Sequence, residues 1–338
     1  MAATTQLTPA RGLRLSQRSR RLAQLALDNS LYVGLIVVFV LFSVIGAPRN
    51  FLTLGNFANI LISAAVLGLI TCGMTFAILA GQVDLSAVGV SGLGSIMIGM
   101  LFQVWSWPAP VALLAVLVVG ALAGLVTSTL VVNVKIYSLI ASMSVVGLYT
   151  GLAMIFSQNL QIPLARLQLQ QMLFYRGILG IPITVWVMLA LYVLGYVLLN
   201  HTRLGAHIYA TGANYTAARL AGVPVSRVIR IALMISGVTI ALAAALVTAR
   251  GNITILYGAA GGLQSGDALI AVLLGGVSLF GGTGKIERNL VAVLFLVVLQ
   301  NGLNLMGVPL SGWFLARGAA FLLAVILDVV RVRLGQSA

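Results

Sequence analysis

The chain has 338 residues, of which 61% are hydrophobic and 7% are charged. An ordinary soluble domain carries about a quarter charged residues, and a soluble fold could not cover its surface with so few. The composition excludes a soluble globular protein, a disordered chain and a fibrous repeat. It indicates an all-α polytopic membrane protein.

A net charge of +14 suggests nucleic acid binding in a soluble domain, but here the basic residues lie between apolar stretches. We therefore interpret them as residues that orient helices in a lipid bilayer, and we predict no nucleic acid partner.

Ten segments reach or approach the roughly 20 apolar residues that a helix needs to cross the hydrocarbon core. The first follows a basic segment, residues 1–30, in the manner of a signal peptide. The length of that segment and the later spans favour an uncleaved helix. The span at 266–281 is short and Gly-rich, so it either crosses the membrane or is re-entrant. In chain order the predicted spans are 31–47, 57–80, 86–104, 110–132, 137–156, 181–200, 230–249, 266–281, 286–307 and 310–332.

The distribution of basic residues orients these spans, because cytoplasmic loops carry an excess of Lys and Arg. With the N terminus in the cytoplasm, Arg317 falls within the last span, and the residues on the outside are Arg49, Arg166, Arg176 and Arg250. The remaining 14 of the 19 Lys and Arg residues lie inside. We predict ten spans with both termini in the cytoplasm. Residues 31–332 then form a single transmembrane domain, and residues 333–338 form a short cytoplasmic tail.

A weak internal symmetry relates the two halves of the chain. The span at 57–80 is followed by Gly81–Ser86 and a Gly/Ser-rich span, and the span at 230–249 is followed by residues 261–267 and another Gly-rich span. Each half continues with two further spans, and the halves start from opposite sides of the membrane. This pattern is typical of an inverted repeat, common in transporters, that relates spans 2–5 to spans 7–10. Similar Gly-rich segments also occur in helical membrane proteins that contain no repeat.

The predicted cytoplasmic loop at 201–229 contains the signals of a short helix. Asn214 is a good N-cap, residues 215–221 fit about two turns, and Gly222 followed by Pro224 ends the helix. Such a helix either connects two spans at the membrane surface or docks into a groove on a partner. Its small residues are Ala217, Ala218 and Ala221.

Four stretches resemble motifs of the ribose-type ABC transporter permease family, which includes importer subunits for sugars and autoinducer-2. They occur in the family's order within roughly residues 31–332, and they are 83–86, 210–223, 274–286 and 301–308. The second resembles the family's cytoplasmic coupling motif. One departure lies before the second Gly-rich span, where the family often carries Glu-Leu-Asp and this chain reads Ser265-Gly266-Asp267. A role for that glutamate is therefore in doubt here.

The resemblance implies a type II-importer-like permease in the bacterial inner membrane for a small neutral solute, such as a pentose or related sugar. The implied partners are cytoplasmic ABC ATPases, a periplasmic solute-binding protein and a second permease, either identical or a close paralogue. ATP and Mg would bind the ATPase and no cofactor would bind this chain, because residues 279–286 depart from the Walker A phosphate-loop pattern at Leu279 and Ile286. The candidate ATPase-coupling residues are Gly212, Asn214, Ala217, Ala218, Arg219 and Gly222.

Polar residues within the spans are candidates for the translocation path, because a neutral polyhydroxylated solute needs neutral hydrogen-bonding groups. Asn301 and Asn304 share a helix face near the outer end of their span, and Gln300 adjoins them. Asp84 and Asp267 each stand at the start of a Gly-rich span. A carboxylate there either caps the helix N terminus or contacts the solute.

A self-sufficient secondary carrier or facilitator is the alternative function. Ion-driven carriers usually bury carboxylates in mid-membrane, whereas all five acidic residues are predicted near span ends, which favours the ABC importer. A membrane enzyme is a third hypothesis without a supporting constellation. Cys72 is the single cysteine, and His201 and His207 fall on different helix faces, so we predict no metal site.

Overall fold

The computed structural model describes residues 17–45, 48–175, 180–256 and 259–336, and within these ranges the regular structure is helical. One isolated β-bridge joins Pro163 to Ile253. The helices in chain order are α1 Gln17–Val44, α2 Pro48–Phe51, α3 Leu54–Leu79, α4 Ala87–Gly99 continued by a π-helical turn Met100–Val104, α5 Ala109–Val132, α6 Ser138–Ser157, α7 Gln168–Phe174, α8 Ile183–His201, α9 Arg203–Ala213, α10 Tyr215–Leu220, α11 Val225–Gly251, α12 Ala259–Leu274, α13 Ile286–Leu305 and α14 Leu310–Gln336.

Each of the ten predicted spans overlaps a helix, and the all-α membrane fold is confirmed. Among the described residues, seven helices are long and apolar enough to cross a membrane: α3, α4 with its π-helical turn, α5, α6, α8, α11 and α13. Shorter apolar helices cover 31–44 in α1 and 265–274 in α12. The chain is therefore a multi-pass membrane protein. The count of ten spans and the inverted repeat stay predictions.

Two predicted boundaries are wrong. Helix α12 ends at Leu274, so the second part of the predicted span 266–281 is a turn-rich connection. The reason is glycine, because Gly276, Gly281 and Gly282 adopt positive φ values of 86°, 86° and 71°, which no helix accommodates. Helix α11 begins at Val225, immediately after Pro224, so the last residues of the predicted loop 201–229 are helical.

Helix α11 lies at the centre of the bundle, where it packs against α3, α4 and α5. Its closest approach is to α5, where a Cβ atom on Gly120 would overlap the carbonyl oxygen of Gly237, and one on Gly237 would overlap that of Gly120. A Cβ on Gly73 of α3 would likewise overlap the Thr239 hydroxyl of α11. Lipid tails are as apolar as helix side chains, so helices in a membrane associate by such close packing at small residues.

Hydrogen bonds join several connections that the predicted topology assigns to the same side of the membrane. At the predicted cytoplasmic end, the Val83 amide donates to the Ser138 hydroxyl (3.1 Å) and the Gly282 amide donates to the Leu79 carbonyl oxygen (3.0 Å). At the predicted outer end, the Leu164 amide donates to the Asn252 carbonyl oxygen (2.8 Å). Loops assigned to the same side of the membrane therefore contact one another.

The predicted orientation can be tested by labelling single cysteines. Gln168 and Thr216 are both exposed, and the native Cys72 is only 2% exposed, so the native thiol gives little background. We expect an impermeant thiol reagent to label Gln168→Cys in intact cells and to label Thr216→Cys only in inverted vesicles. Labelling of both variants from one side would contradict the orientation.

Candidate solute cavity and docking surface

A polar cavity of about 580 Å³ opens among α3, α11, α12, α13 and α14, near their predicted outer ends. This volume lies within the range of about 300–1,000 Å³ that is typical of small-molecule sites. Most polar groups on its wall are uncharged. The polar lining residues are Asn56, Asn59, Ser63, Arg250, Asp267, Gln300, Asn301, Asn304, Trp313 and Arg317.

The structure brings four of the five predicted path residues to this cavity: Asp267, Gln300, Asn301 and Asn304. Asn301 forms a reciprocal amide pair with Asn56, in which the two Nδ2–Oδ1 distances are 2.8 and 3.0 Å. This pair holds α13 against α3 at the rim. Gln300 and Asn304 make no side-chain hydrogen bond to the described part of the protein, so their amides are available to a solute.

Asp267 pairs with Arg317 across the inner wall of the cavity. A guanidinium nitrogen of Arg317 lies 2.5 Å from Asp267 Oδ2, and both side chains are largely buried. The expected position of Asp267 at the start of a helix is wrong, because α12 begins at Ala259, eight residues earlier. Asp267 therefore does not cap the helix but ties α12 to α14. A lone arginine within an apolar span is the signal that could have predicted this partner.

Arg250 supplies a second guanidinium to the cavity and was missed as a site residue. It is the last-turn basic residue of α11 and donates to the Ser63 hydroxyl of α3 at 3.0 Å. The described charged groups of the cavity wall are thus two guanidiniums and one carboxylate, two of which form an ion pair. The described wall therefore carries one guanidinium in excess, that of Arg250, among many uncharged hydrogen-bonding groups.

Asp84 does not line this cavity. It is buried near the predicted cytoplasmic end, and its Oδ1 accepts a hydrogen bond from the Ser86 amide at 2.9 Å. This bond orders the turn that leads into α4. Asp84 itself lies before the N-cap residue Ser86, whose side chain forms no capping bond to α4.

The predicted short helix in the 201–229 loop is confirmed as α10. The Asn214 side chain caps it by accepting from the Ala217 amide at 3.0 Å, and Gly222 follows it with φ +84°. Ala218 is only 5% exposed and packs in a cluster with Ile229 and Leu233 of α11. The small-residue face is therefore divided, because Ala218 points to the bundle while Ala217 and Ala221 point to solvent.

The outward side of α10 carries two apolar residues that the sequence analysis missed. Leu220 is 84% exposed and Tyr215 is 47% exposed, beside the exposed Arg219. Exposed apolar and aromatic side chains beside a cation are typical of a protein-binding surface. We call residues 214–222 the docking surface. Gly212 lies apart from it, because a Cβ there would overlap the Leu79 carbonyl oxygen of α3.

A multi-pass helical protein with a polar cavity near one end of the bundle and an exposed capped helix at the other belongs to the class of membrane transport proteins. The model of the family described as "Branched-chain amino acid transport system / permease component" matches residues 56–329. The chain belongs to this family of permease components. Its relatives are permease subunits, so the chain is a transport subunit and not an enzyme.

Characterised relatives cover most of the chain. It is 33% identical over 299 residues to the ribose import permease protein RbsC of Escherichia coli (strain K12), which spans 87% of this chain and 92% of that protein. It is 34% identical to RbsC of Bacillus subtilis (strain 168), over 88% and 91% of the two chains. It is 31% identical to the L-arabinose transport system permease protein AraH of E. coli (strain K12), over 87% and 89%. No solved structure matches the chain significantly.

Removal of Arg317 is expected to destabilise the protein more than removal of Arg250. Arg317→Ala leaves the buried Asp267 carboxylate unpaired, which costs up to about 3–5 kcal/mol for a fully buried pair and less beside an open cavity. Arg250→Ala loses an exposed bond to a neutral hydroxyl, worth about 0.5–1.5 kcal/mol. Thermal unfolding of the purified variants in detergent measures the difference.

The double variant Asp267→Ala/Arg317→Ala provides the control for this comparison. It removes both charges, so we expect it to melt at a higher temperature than Arg317→Ala alone. If the double variant melts at the same temperature or lower, the fold does not depend on mutual neutralisation of these two groups.

Proposed function

We propose that this chain is the permease subunit of an ABC importer of the bacterial inner membrane, and that its cavity carries a small neutral polyhydroxylated solute, a pentose or related sugar. The observation that carries this proposal is the cavity wall, where the side-chain amides of Gln300 and Asn304, which bond to none of the described residues, line a space large enough for such a solute. The ribose and arabinose permeases among the relatives support the same substrate class.

The charges of the cavity favour a sugar over an amino acid. Asp267 and Arg317 neutralise each other, and a neutral polyol leaves this pair intact while its hydroxyls use the remaining lone pairs and N–H groups. The carboxylate of a zwitterionic amino acid would meet Arg250, which bonds to the neutral Ser63 hydroxyl, but its ammonium group would have to displace Arg317 from Asp267. Breaking a largely buried ion pair is costly, so the intact pair discriminates against that substrate class.

The other components follow from this assignment. In the proposed complex, ATPase subunits bind the docking surface and hold ATP and Mg, a periplasmic binding protein delivers the solute to the cavity, and a second permease, identical or a close paralogue, completes the path. The permease has ten spans with both termini in the cytoplasm, and its spans 2–5 and 7–10 form an inverted repeat. Co-purification of an ATPase separates this proposal from the alternative of a self-sufficient carrier.

Solute specificity is tested in proteoliposomes that contain the permease, its ATPase and its binding protein. We expect ATP-dependent uptake of a labelled pentose that an excess of leucine does not inhibit. Gln300→Ala and Asn304→Ala should each lower uptake about 2- to 10-fold, since each removes one hydrogen bond worth about 0.5–1.5 kcal/mol. Ser144→Ala is the control, because that hydroxyl bonds only to its own helix on an exposed face of α6. Uptake of leucine instead of the pentose would refute the substrate class.

The docking assignment is tested at Gly222. Gly222 has φ +84°, and apart from its own chain neighbours no atom lies within 4 Å of the position that a Cβ atom would take. Gly222→Val therefore strains the end of α10 without a clash in the bundle. We expect normal membrane abundance together with loss of ATPase co-purification and of uptake. Asn214→Ala should act in the same direction but more weakly, since loss of an N-cap costs about 1 kcal/mol.

Gly180→Val is the matched control for Gly222→Val. Gly180 also has a positive φ (+70°), and apart from its chain neighbours no atom lies within 4 Å of where a Cβ atom would be. It lies in the loop before α8, at the opposite end of the bundle. It should retain ATPase binding. If Gly222→Val keeps both the ATPase and uptake, α10 is only a connector between spans.

A further inference from the structure

Three glycine-containing segments meet at the predicted cytoplasmic end of the bundle: residues 79–81 at the end of α3, residues 212–213 at the end of α9, and residues 281–282 between α12 and α13. We call this contact the glycine joint. The Gly282 amide donates to the Leu79 carbonyl oxygen at 3.0 Å. A Cβ on Gly212 would overlap that same oxygen and lie 2.5 Å from the Gly282 nitrogen. The three segments therefore touch through backbone atoms.

Glycine is required in the joint for two separate reasons. Gly81, Gly281 and Gly282 have φ values of +75°, +86° and +71°, in the region that side chains disfavour. In addition, a Cβ on Gly281 would lie 2.8 Å from the Gly81 Cα, and a Cβ on Gly282 would lie 2.5 Å from the Ala213 Cα. Backbone contacts of this kind have no side-chain rotamers that could absorb a displacement.

A side-chain hydrogen bond reinforces the joint. The Tyr209 hydroxyl of α9 donates to the Gly284 carbonyl oxygen at 3.0 Å. Burial, and secondarily the nearby Glu287 carboxylate, raise the pKa of Tyr209 above its ordinary value. The phenol therefore stays protonated and keeps its donor role at physiological pH. Helix α9 is thus tied at two points to the connection that leads into α13.

The joint connects the docking surface with the wall of the cavity. On one side, α10 follows α9 directly after Asn214. On the other side lie α3, α12 and α13, whose distant parts carry Asn56, Asp267 and Asn301 of the cavity wall. Helix α3 has 26 residues and is about 39 Å long, so a small tilt at the joint becomes a larger displacement at the rim.

We propose that the glycine joint is the element that transmits displacement of the docking surface to the cavity wall. Movement of α10 shifts α9, and α9 shifts the end of α3 and the 275–285 connection as one body, which changes the width of the cavity. Gly212 and Tyr209 are then positioning residues that act on the solute through α3 and α13. This inference rests on the proposed function, in which an ATPase binds residues 214–222.

The test compares Gly212→Ala and Tyr209→Phe with Gly151→Ala in the reconstituted complex of permease, ATPase and binding protein. Gly151 lies on α6, and no atom outside its own helix turn lies within 4 Å of where a Cβ atom would be. Gly151→Ala therefore shows the effect of replacing a glycine by alanine where no contact is disturbed. Three quantities are measured: ATPase retained on purification, basal ATP hydrolysis, and ATP-dependent uptake of labelled pentose. We expect both joint variants to retain the ATPase and basal hydrolysis while uptake per ATP hydrolysed falls, by about fivefold or more for Gly212→Ala, as is typical of a lost coupling free energy.

The outcomes separate transmission from docking and from folding. Unchanged uptake per ATP in both variants overturns the proposal, and so does loss of ATPase binding, which would make the joint part of the docking surface. If Gly212→Ala does not accumulate in the membrane, the uptake per ATP of Tyr209→Phe tests the proposal alone, because that variant removes only one hydroxyl. Absence of the ATPase from the wild-type complex would instead refute the proposed function, and this inference with it.

Discussion

Close backbone approach at glycine is the constraint on which the rest of the structure depends. Lipid offers no hydrophobic force that would drive apolar helices together, so the bundle is held by packing between small residues. Gly120 and Gly237 let α5 and α11 meet main chain to main chain, and Gly73 brings α3 onto α11. With α11 fixed in this way, its outer end places Arg250 at the cavity. Its inner end provides Ile229 and Leu233, on which Ala218 of α10 rests.

The cavity is polar without carrying a large uncompensated charge. Asp267 and Arg317 come from different helices and neutralise each other, while Asn56 and Asn301 satisfy each other's amides. These pairs hold α12 to α14 and α3 to α13, so they are parts of the wall. The side-chain amides of Gln300 and Asn304 line the same cavity and bond to none of the described residues. Arg250, which lies outside the ion pair, bonds to the Ser63 hydroxyl, so the described wall offers hydrogen-bonding groups from charged and uncharged side chains alike.

The opposite end of the bundle presents α10 as a helix with two distinct faces. Ala218 anchors it to α11, and Leu220, Tyr215 and Arg219 face outward. Helix α10 follows α9 directly, and Gly212 near the end of α9 packs against the Leu79 carbonyl oxygen of α3. The same short segment therefore contributes to a surface and to the packed interior, and the proposed transmission to the cavity depends on this continuity.

The sequence by itself determined the membrane class, the order of the helices and the capped helix at α10, because apolar span length, Asn214 and Gly222 are local signals. The family resemblance, read from four short motifs, agreed with the comparisons. Only the tertiary structure decided that α12 begins before Asp267 and that this carboxylate meets Arg317, since their pairing depends on how α12 and α14 are placed. Likewise, the inward turn of Ala218 and the close contact of Gly212 with Leu79 follow from packing between distant segments. A periodic pattern along the chain specifies which faces are apolar but not which neighbour each face meets.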